Sequence, residues 1–343
     1  MLRELTEING VSGDEGRVRK YIKEKITPLC DEITVDSMGN VIALKRGAGE
    51  TRHKIMLCAH MDEVGFIVSD ITADGFVKFK PVGGIDKRIL LTQRVVIDDV
   101  RGRVNGVIGI KAVHLQTADE RKKVVPMDNL YVDIGANDRT DALKYVEKGD
   151  YISFNSDYTE FGDGCIKAKA LDDRAGCATL IRLMQGTYES DLYFCFNTQE
   201  EVGLRGARIV AHRLGADIAF VLESTTAADM PFVDDCMRCT VQGEGPVISL
   251  LDGASCSDKY MNSFVIESAK KHGIKYQLKK TINGGNDAGA IQTSANAVRT
   301  CAVSLPCRYI HSPVSTVKKS DIEDMYNLMK CVLEDINDFG AEE

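Results

Sequence analysis

Histidine and acidic side chains follow several apolar segments of the chain, at the point where each segment ends. These side chains are His60, Asp172, Glu201, Glu223 and His311, with Asp62 and Glu200 beside two of them. Because neighbouring strands of an α/β sheet end at the edge where such folds bind ligands, we expect these groups to meet there. Imidazole and carboxylate groups are ligands that Zn²⁺ and Co²⁺ accept. The pattern therefore favours a metal site.

The five side chains comprise two imidazoles and three carboxylates, which suits two divalent cations per subunit, Zn²⁺ or Co²⁺. Each cation would take one His and one carboxylate, and the fifth ligand would bridge them. A water shared by cations about 4 Å apart is acidic enough to act as a nucleophile near neutral pH. Glu200 would accept its proton and deliver it to a leaving amine. Asp62 shares a strand face with His60 and can fix the imidazole tautomer.

Each motif taken alone also has a simpler interpretation. The adjacent carboxylates Asp172 and Asp173 are typical of a solvated turn or of the first turn of a helix. Glu200 and Glu201 could form an exposed acidic loop, and a lone His at a strand end is often structural. What favours a site is the position that the groups share, at the ends of successive apolar segments.

The elements that would position these residues alternate along the chain. Strand-like apolar runs at residues 54–59, 192–197 and 218–222 alternate with helical patterns. Capping boxes, at Ser12 with Glu15 and at Ser320 with Glu323, predict the starts of the first and last helices. This order predicts an α/β fold with a central mixed sheet flanked by helices.

Residues 68–165 break the alternation. They hold short β-rich pieces separated by Gly, Asp and Asn turns, with one short helical stretch near residues 140–146. We therefore expect an α/β catalytic domain formed by residues 1–67 and 166–343. Residues 68–165 would form an inserted, mostly β domain.

Composition narrows the classes of protein that fit. The 343 residues carry 43 Lys and Arg against 51 Asp and Glu, so the formal charge is 43 − 51 = −8. A net negative charge argues against nucleic-acid and anionic-membrane partners, which need a positive surface. The eleven cysteines are scattered mostly as single residues within apolar runs, which is typical of reduced, buried thiols. Together with the absence of a signal-peptide pattern, this predicts a cytoplasmic protein.

The order of the motifs resembles a known family. The matching stretches are NGVSG at 9–13, AHMDE at 59–63, GIK at 109–111, ALDDR at 170–174, TQEEVG at 198–203, GGNDA at 284–288 and RYIHSP at 308–313. In this order they resemble peptidase family M42, whose members are dinuclear metallo-aminopeptidases. The family includes TET, glutamyl and deblocking aminopeptidases, and some of its members have been labelled endoglucanase M.

The resemblance implies a role for each matched residue. His60, Asp172, Glu201, Glu223 and His311 would be the metal ligands, with Asp172 as the bridge, Glu200 as the general base and Asp62 orienting His60. It also implies a zinc-aminopeptidase-like fold, an inserted domain for substrate access or oligomerisation, short peptides as substrates, and a homo-oligomer such as a tetrahedral dodecamer. One departure is Glu223, because many members carry Asp at that position.

Other functions stay open at this level. A glycosidase with paired carboxylates would explain the acidic pairs without metal, but it leaves His60 and His311 without a role. A related metallo-acylase or carboxypeptidase would use a similar ligand set. A non-catalytic binding protein that has kept only the fold is a further alternative.

Overall fold

A computed structural model describes residues 1–99, 101–294 and 297–340, and its strands form three sheets. The described strands are β1 Glu32–Val35, β2 Val41–Lys45, β3 Ile55–His60, β4 Gly65–Ile71, β5 Val77–Val82, β6 Arg94–Asp99, β7 Gly102–Gly109, β8 Tyr131–Asp133, β9 Tyr151–Phe154, β10 Thr159–Phe161, β11 Cys165–Ala168, β12 Leu192–Asn197, β13 Ile218–Thr226, β14 Val247–Ser249, β15 Gln277–Leu278, β16 Arg299–Cys307 and β17 Ser315–Lys318. The described α-helices are α1 Leu2–Glu7, α2 Gly16–Ile26, α3 Ala118–Lys122, α4 Arg139–Ala142, α5 Leu171–Leu183, α6 Arg205–Leu214, α7 Lys259–Lys271, α8 Ala288–Gln292 and α9 Lys319–Asp335.

The main sheet has eight strands in the order β1-β2-β12-β3-β13-β16-β14-β15. β3 pairs in parallel with β12 and β13, whereas β2 pairs antiparallel with β12, so the sheet is mixed. Successive side chains of β3 enter different cores: Ile55 and Leu57 join one hydrophobic cluster, and Met56 and Cys58 join another. Both faces are therefore covered by helices, which explains why β3 is a continuous apolar run rather than an alternating one. The predicted α/β class with a mixed central sheet is confirmed.

A closed six-stranded barrel, β4-β5-β8-β7-β6-β9, is inserted between β3 and β11. It has its own core, in which the ring of Phe66 meets Phe79 and Phe154 edge-on at centroid distances of 4.9 and 5.4 Å. The segment after the barrel does not join it, because β10 pairs with β11, and β11 pairs with β17, in a separate three-stranded sheet. The predicted boundaries of 68–165 stay a prediction, and the predicted last residue, 343, lies outside the described residues.

Both predicted capping boxes are wrong. α2 begins at Gly16 without a side-chain cap, and the Ser12 hydroxyl instead donates to Asp62, 50 residues away in sequence. α9 begins at Lys319, so Ser320 lies inside the helix. A capping pattern in the sequence indicates only that a serine could cap a nearby helix. At Ser12, the buried Asp62 carboxylate accepts the hydrogen bond from the hydroxyl instead.

The described cysteines are all unpaired; Cys58, Cys177 and Cys195 are buried, and Cys30 is half-buried. Along the same ranges, no helix combines the length and the apolar character that a membrane span requires. The cytoplasmic location stays a prediction.

Candidate metal centre

The predicted residues of strands β3 and β13 lie at one edge of the main sheet. His60 is the last residue of β3 and is paired in register with Asn197, the last residue of β12. Glu223 lies in β13, just beyond Val221, where the pairing of β13 with β3 ends. Since these three strands are parallel, their carboxyl ends form a common rim, which is the edge at which α/β sheets bind ligands.

Loops bring the remaining residues to this rim. Asp172 lies at the start of α5, where its dihedral angles are not yet helical, and its buried carboxylate lies beside His60 and His311. Glu200 and Glu201 lie in the turn between β12 and α6, and His311 lies in the turn between β16 and β17. His311 has a positive φ of 58°, so the chain reverses sharply at this residue.

The five predicted ligands are close together. His60 Nε2 lies 3.3 Å from Asp172 Oδ1 and 3.2 Å from Glu223 Oε1. His311 Nε2 lies 3.2 Å from Asp172 Oδ2 and 3.4 Å from Glu201 Oε2. The Asp172 carboxylate therefore stands between the two imidazoles and turns one oxygen toward each.

Asp62 organises the neighbouring groups. Its main-chain oxygen lies 3.1 Å from His60 Nδ1, and its carboxylate Oδ1 lies 3.4 Å from the same nitrogen. The Asp62 carboxylate also accepts hydrogen bonds from the amides of Glu200 and Glu201, at 3.0 and 3.1 Å. A proton on Nδ1 of His60 is thus held by Asp62, which leaves Nε2 facing the carboxylates. Asp62 also fixes the turn that carries the two glutamates.

The second imidazole is oriented by the barrel. The main-chain oxygen of Gly84, in the loop after β5, lies 2.8 Å from His311 Nδ1. This contact leaves Nε2 of His311 facing Asp172 and Glu201, in the same way that Asp62 leaves Nε2 of His60. The site is therefore completed by a residue of the barrel.

Several buried polar atoms at this site have no hydrogen-bond partner among the described residues: His60 Nε2, Asp172 Oδ1, Asp173 Oδ2 and Glu223 Oε2. Two groups of three donors each lie within 4.8 Å of one another, His60 with Asp173 and Glu223, and His60 with Asp172 and Glu201. Orphaned buried donors and acceptors are rare in folded proteins and call for a further partner such as an ion. The side chains present fit divalent cations.

The electrostatics of the site also favour bound cations. Burial raises the pKa of Glu201 and of Glu223 to about 8 each, and it raises the pKa of Glu200 well above its usual value. Burial opposes protonation of His311, but the hydrogen bond to Asp172 and the charge of Glu201 raise its pKa to about 9. Buried carboxylates this close keep their charge only beside positive charge. Divalent cations would supply it.

Three residues that adjoin this site were not among the predicted site residues. Ser12 donates from its hydroxyl to Asp62 Oδ2 at 2.6 Å. Asp173 is fully buried, with its carboxylate within 4.8 Å of the ligand atoms of His60 and Glu223, and Asp287 is buried with its carboxylate accepting from Asn197 at 2.8 Å. Each of the three stands within a motif noted above, but a motif does not show which of its side chains point inward.

Glu63, which follows Asp62 in the AHMDE motif, does not join the predicted ligands. Its carboxylate accepts from Lys169 Nζ at 2.7 and 2.9 Å and from the amide of Gly10 at 3.0 Å. Arg174 lies 3.6 Å from the same carboxylate and is also fully buried. Glu63 therefore ties together three of the matching motifs below the site, and its role is structural.

An α/β sheet whose rim carries two imidazoles among buried carboxylates is typical of metal-dependent hydrolases. The family model described as M42 glutamyl aminopeptidase matches residues 39–328, and a model named AMPT matches residues 1–20. The lysyl aminopeptidase of Pyrococcus furiosus is 30% identical over 98% of this chain and 96% of its own.

Two solved structures are also similar. The Pyrococcus horikoshii TET1 peptidase, described as assembling into a tetrahedron or a large octahedral shell, has a TM-score of 0.87 and 34% identity, covering 97% of this chain and 98% of its own. A Thermotoga maritima structure named endoglucanase has a TM-score of 0.83 and 37% identity, covering 100% of this chain and 99% of its own. The chain belongs to the M42 family of aminopeptidases. It is a hydrolase of the aminopeptidase type.

Ser12→Ala is expected to slow turnover through Asp62. Without the hydroxyl, Asp62 holds the amides of Glu200 and Glu201 less firmly, so kcat should fall about tenfold with KM little changed. Steady-state kinetics on an aminoacyl anilide measures both constants. Ser12→Thr, which keeps a hydroxyl, should restore most of the loss, and Ser37→Ala, at an exposed position, is the control. An unchanged kcat in Ser12→Ala would contradict the expected role of this contact.

Proposed function

We propose that the chain is a dinuclear metal aminopeptidase that removes N-terminal residues from short peptides. The observation that carries the proposal is the Asp172 carboxylate, which turns one oxygen toward each imidazole at 3.3 and 3.2 Å. This is the arrangement expected of a bridging ligand. We assign Glu223 with His60 to one cation, and Glu201 with His311 to the other, with Zn²⁺ or Co²⁺ as the metals.

Two divalent cations would act as Lewis acids that make a water molecule more acidic and polarise the scissile carbonyl group. Glu200 is placed to handle the proton. Its Oε2 lies 4.0 Å from His60 Nε2, farther away than the assigned ligands of that imidazole, and its side chain lines the same cavity. We assign to the Glu200 carboxylate the removal of a proton from the attacking water and its transfer to the leaving amine. Asp62 keeps Glu200 in place through the amide contact described above.

Chelation tests this function directly. With Zn²⁺, Co²⁺ or Mn²⁺ supplied, the protein should hydrolyse aminoacyl anilides, and EDTA should abolish the activity until metal is restored. An acetylated anilide, which lacks a free α-amine, should not be cleaved, and this separates an aminopeptidase from an acylase or a carboxypeptidase. Full anilide turnover in EDTA would overturn the proposal, as would EDTA-resistant cleavage of a glucan in place of anilide hydrolysis.

We also propose that the protein is a homo-oligomer, with a tetrahedral dodecamer as the expected particle. The similarity to the TET1 peptidase over 97% of this chain supports an assembly of the same kind. Residues 68–165 would take part in substrate access and in contacts between subunits, as well as supplying the Gly84 contact to His311. Light scattering of the purified protein counts its subunits, and a monomer would contradict this part of the proposal.

A further inference from the structure

Four consecutive backbone amides, in the turn after β12, each donate to a buried side chain that is distant in sequence. The pairs are Thr198 with Asn40, Gln199 with Glu15, and both Glu200 and Glu201 with Asp62, at 2.8, 3.2, 3.0 and 3.1 Å. A buried polar network that is fully satisfied makes the backbone rigid. This turn carries the proposed general base and one proposed ligand, so the three acceptors together determine where those carboxylates lie.

Gln199 adopts a backbone conformation that few non-glycine residues adopt. Its φ is 56°, in the left-handed region. Such a conformation persists only where the surrounding structure determines it. The oxygens of Gln199 accept from Arg205, which is close in sequence and exposed. The bond to Glu15 is therefore the contact that ties Gln199 to a distant part of the chain, 184 residues away.

Glu15 is itself held in place. Its side chain is buried, and the oxygen that accepts from Gln199, Oε1, also accepts from the amide of Gly13 at 2.8 Å. Glu15 precedes α2, but it makes no side-chain capping bond to that helix. Its carboxylate therefore joins the segment at 9–13 to the turn at 198–201, rather than stabilising the start of α2.

We infer that Glu15 is a positioning residue for Glu200, which it reaches through the amide of Gln199. The inference deepens the proposed function and rests on it, because it concerns where the proposed general base lies. Asp62 holds the amide of Glu200, and Glu15 holds the amide before it, so the two acceptors fix successive peptide groups. A rotation at Gln199 would displace the Glu200 side chain. A misplacement of about 1 Å can slow a reaction about 100-fold.

The test compares Glu15→Ala with Glu15→Gln in the metal-loaded enzyme. Glu15→Ala removes the acceptor, so kcat for a leucyl p-nitroanilide should fall about tenfold while KM stays within about twofold. Glu15→Gln keeps an oxygen that can accept from both amides, so its kcat should stay within about threefold of the wild type. Glu24→Ala, at an exposed position on α2, is the matched control and should behave as the wild type.

Hydrogen exchange followed by mass spectrometry reads the same contact without turnover. The amide of Gln199 should exchange at least about tenfold faster in Glu15→Ala, and within about threefold of the wild-type rate in Glu15→Gln. The amides of α9, a helix of the main core, are the internal reference. A general loss of stability would speed exchange in α9 as well, whereas loss of this contact should leave α9 unchanged.

Three outcomes would overturn the inference. They are an unchanged kcat in Glu15→Ala, an unchanged exchange rate at Gln199 in that variant, and a Glu15→Gln protein as slow as Glu15→Ala. The last outcome would make the charge of Glu15 important rather than its acceptor oxygen. Glu15→Met fills the same space but offers only a weak acceptor, so it should repeat the losses of Glu15→Ala and guards against misfolding of that variant.

A failure of the proposed function would look different, because then the wild type would cleave no anilide with any metal. The exchange comparison needs no substrate and gives its result even in that case. A faster Gln199 amide in Glu15→Ala alongside an inactive wild type would therefore count against the proposed function and leave the contact itself established.

Discussion

Glu200→Gln is expected to lower kcat by about 1,000-fold, in the middle of the range of about 100- to 10,000-fold for loss of a positioned general base. Gln has nearly the same shape as Glu, and its backbone amide can still donate to Asp62 as Glu200 does at 3.0 Å. It cannot accept the proton of the attacking water. The metal content should stay at two ions per subunit, because Glu200 is not one of the proposed ligands.

Anilide kinetics measures kcat, and elemental analysis of the same preparation measures the metal content. Glu267→Gln, at an exposed position on α7, is the matched control and should behave as the wild type. A Glu200→Gln protein with wild-type kcat would rule out the assigned proton transfer. A protein that had lost its metal would instead make Glu200 a ligand.

Asp172→Asn is expected to have the opposite pattern, with metal lost first and activity lost as a consequence. Asp172 turns one oxygen toward each imidazole, at 3.3 and 3.2 Å, and the substitution replaces one of these oxygens by an NH₂ group. An NH₂ group donates rather than accepts, so it opposes a cation on that side. Affinity for the metal pair should fall by at least about 100-fold, more than is typical when an outer-shell partner is lost.

Competition with a chromogenic chelator measures this affinity, and Asp157→Asn, with a side chain that is 78% exposed, is the control. If Asp172→Asn kept two tightly bound ions, Asp172 could not be the bridge. The two variants together separate proton transfer from metal retention, because each should change only one of the two readouts directly.

The fold was largely predictable because its strongest signals are local. Residues 192–197 and 218–222 are continuous apolar runs, and both lie in the predicted strands, β12 and β13. Other local signals, a helical pattern and a capping box, gave predictions that differ from the structure. The helical pattern near residues 140–146 ends at Ala142, and the capping serine Ser12 has a different partner. A short pattern states a preference, but tertiary contacts decide whether it is met.

The sequence by itself determined which chemical groups the site would contain. His60 and Glu223 lie on apolar strands that must be buried and parallel, so their place at the rim follows from the strand pattern and needs no further contact.

The tertiary structure alone decided how these groups are aimed. The Gly84 oxygen that orients His311 is 227 residues away in sequence, and Asp62 reaches Glu200 across 138 residues. The physical reason is that hydrophobic periodicity is repeated along the chain and can be read locally. A single hydrogen bond between distant residues leaves no periodic trace in the sequence.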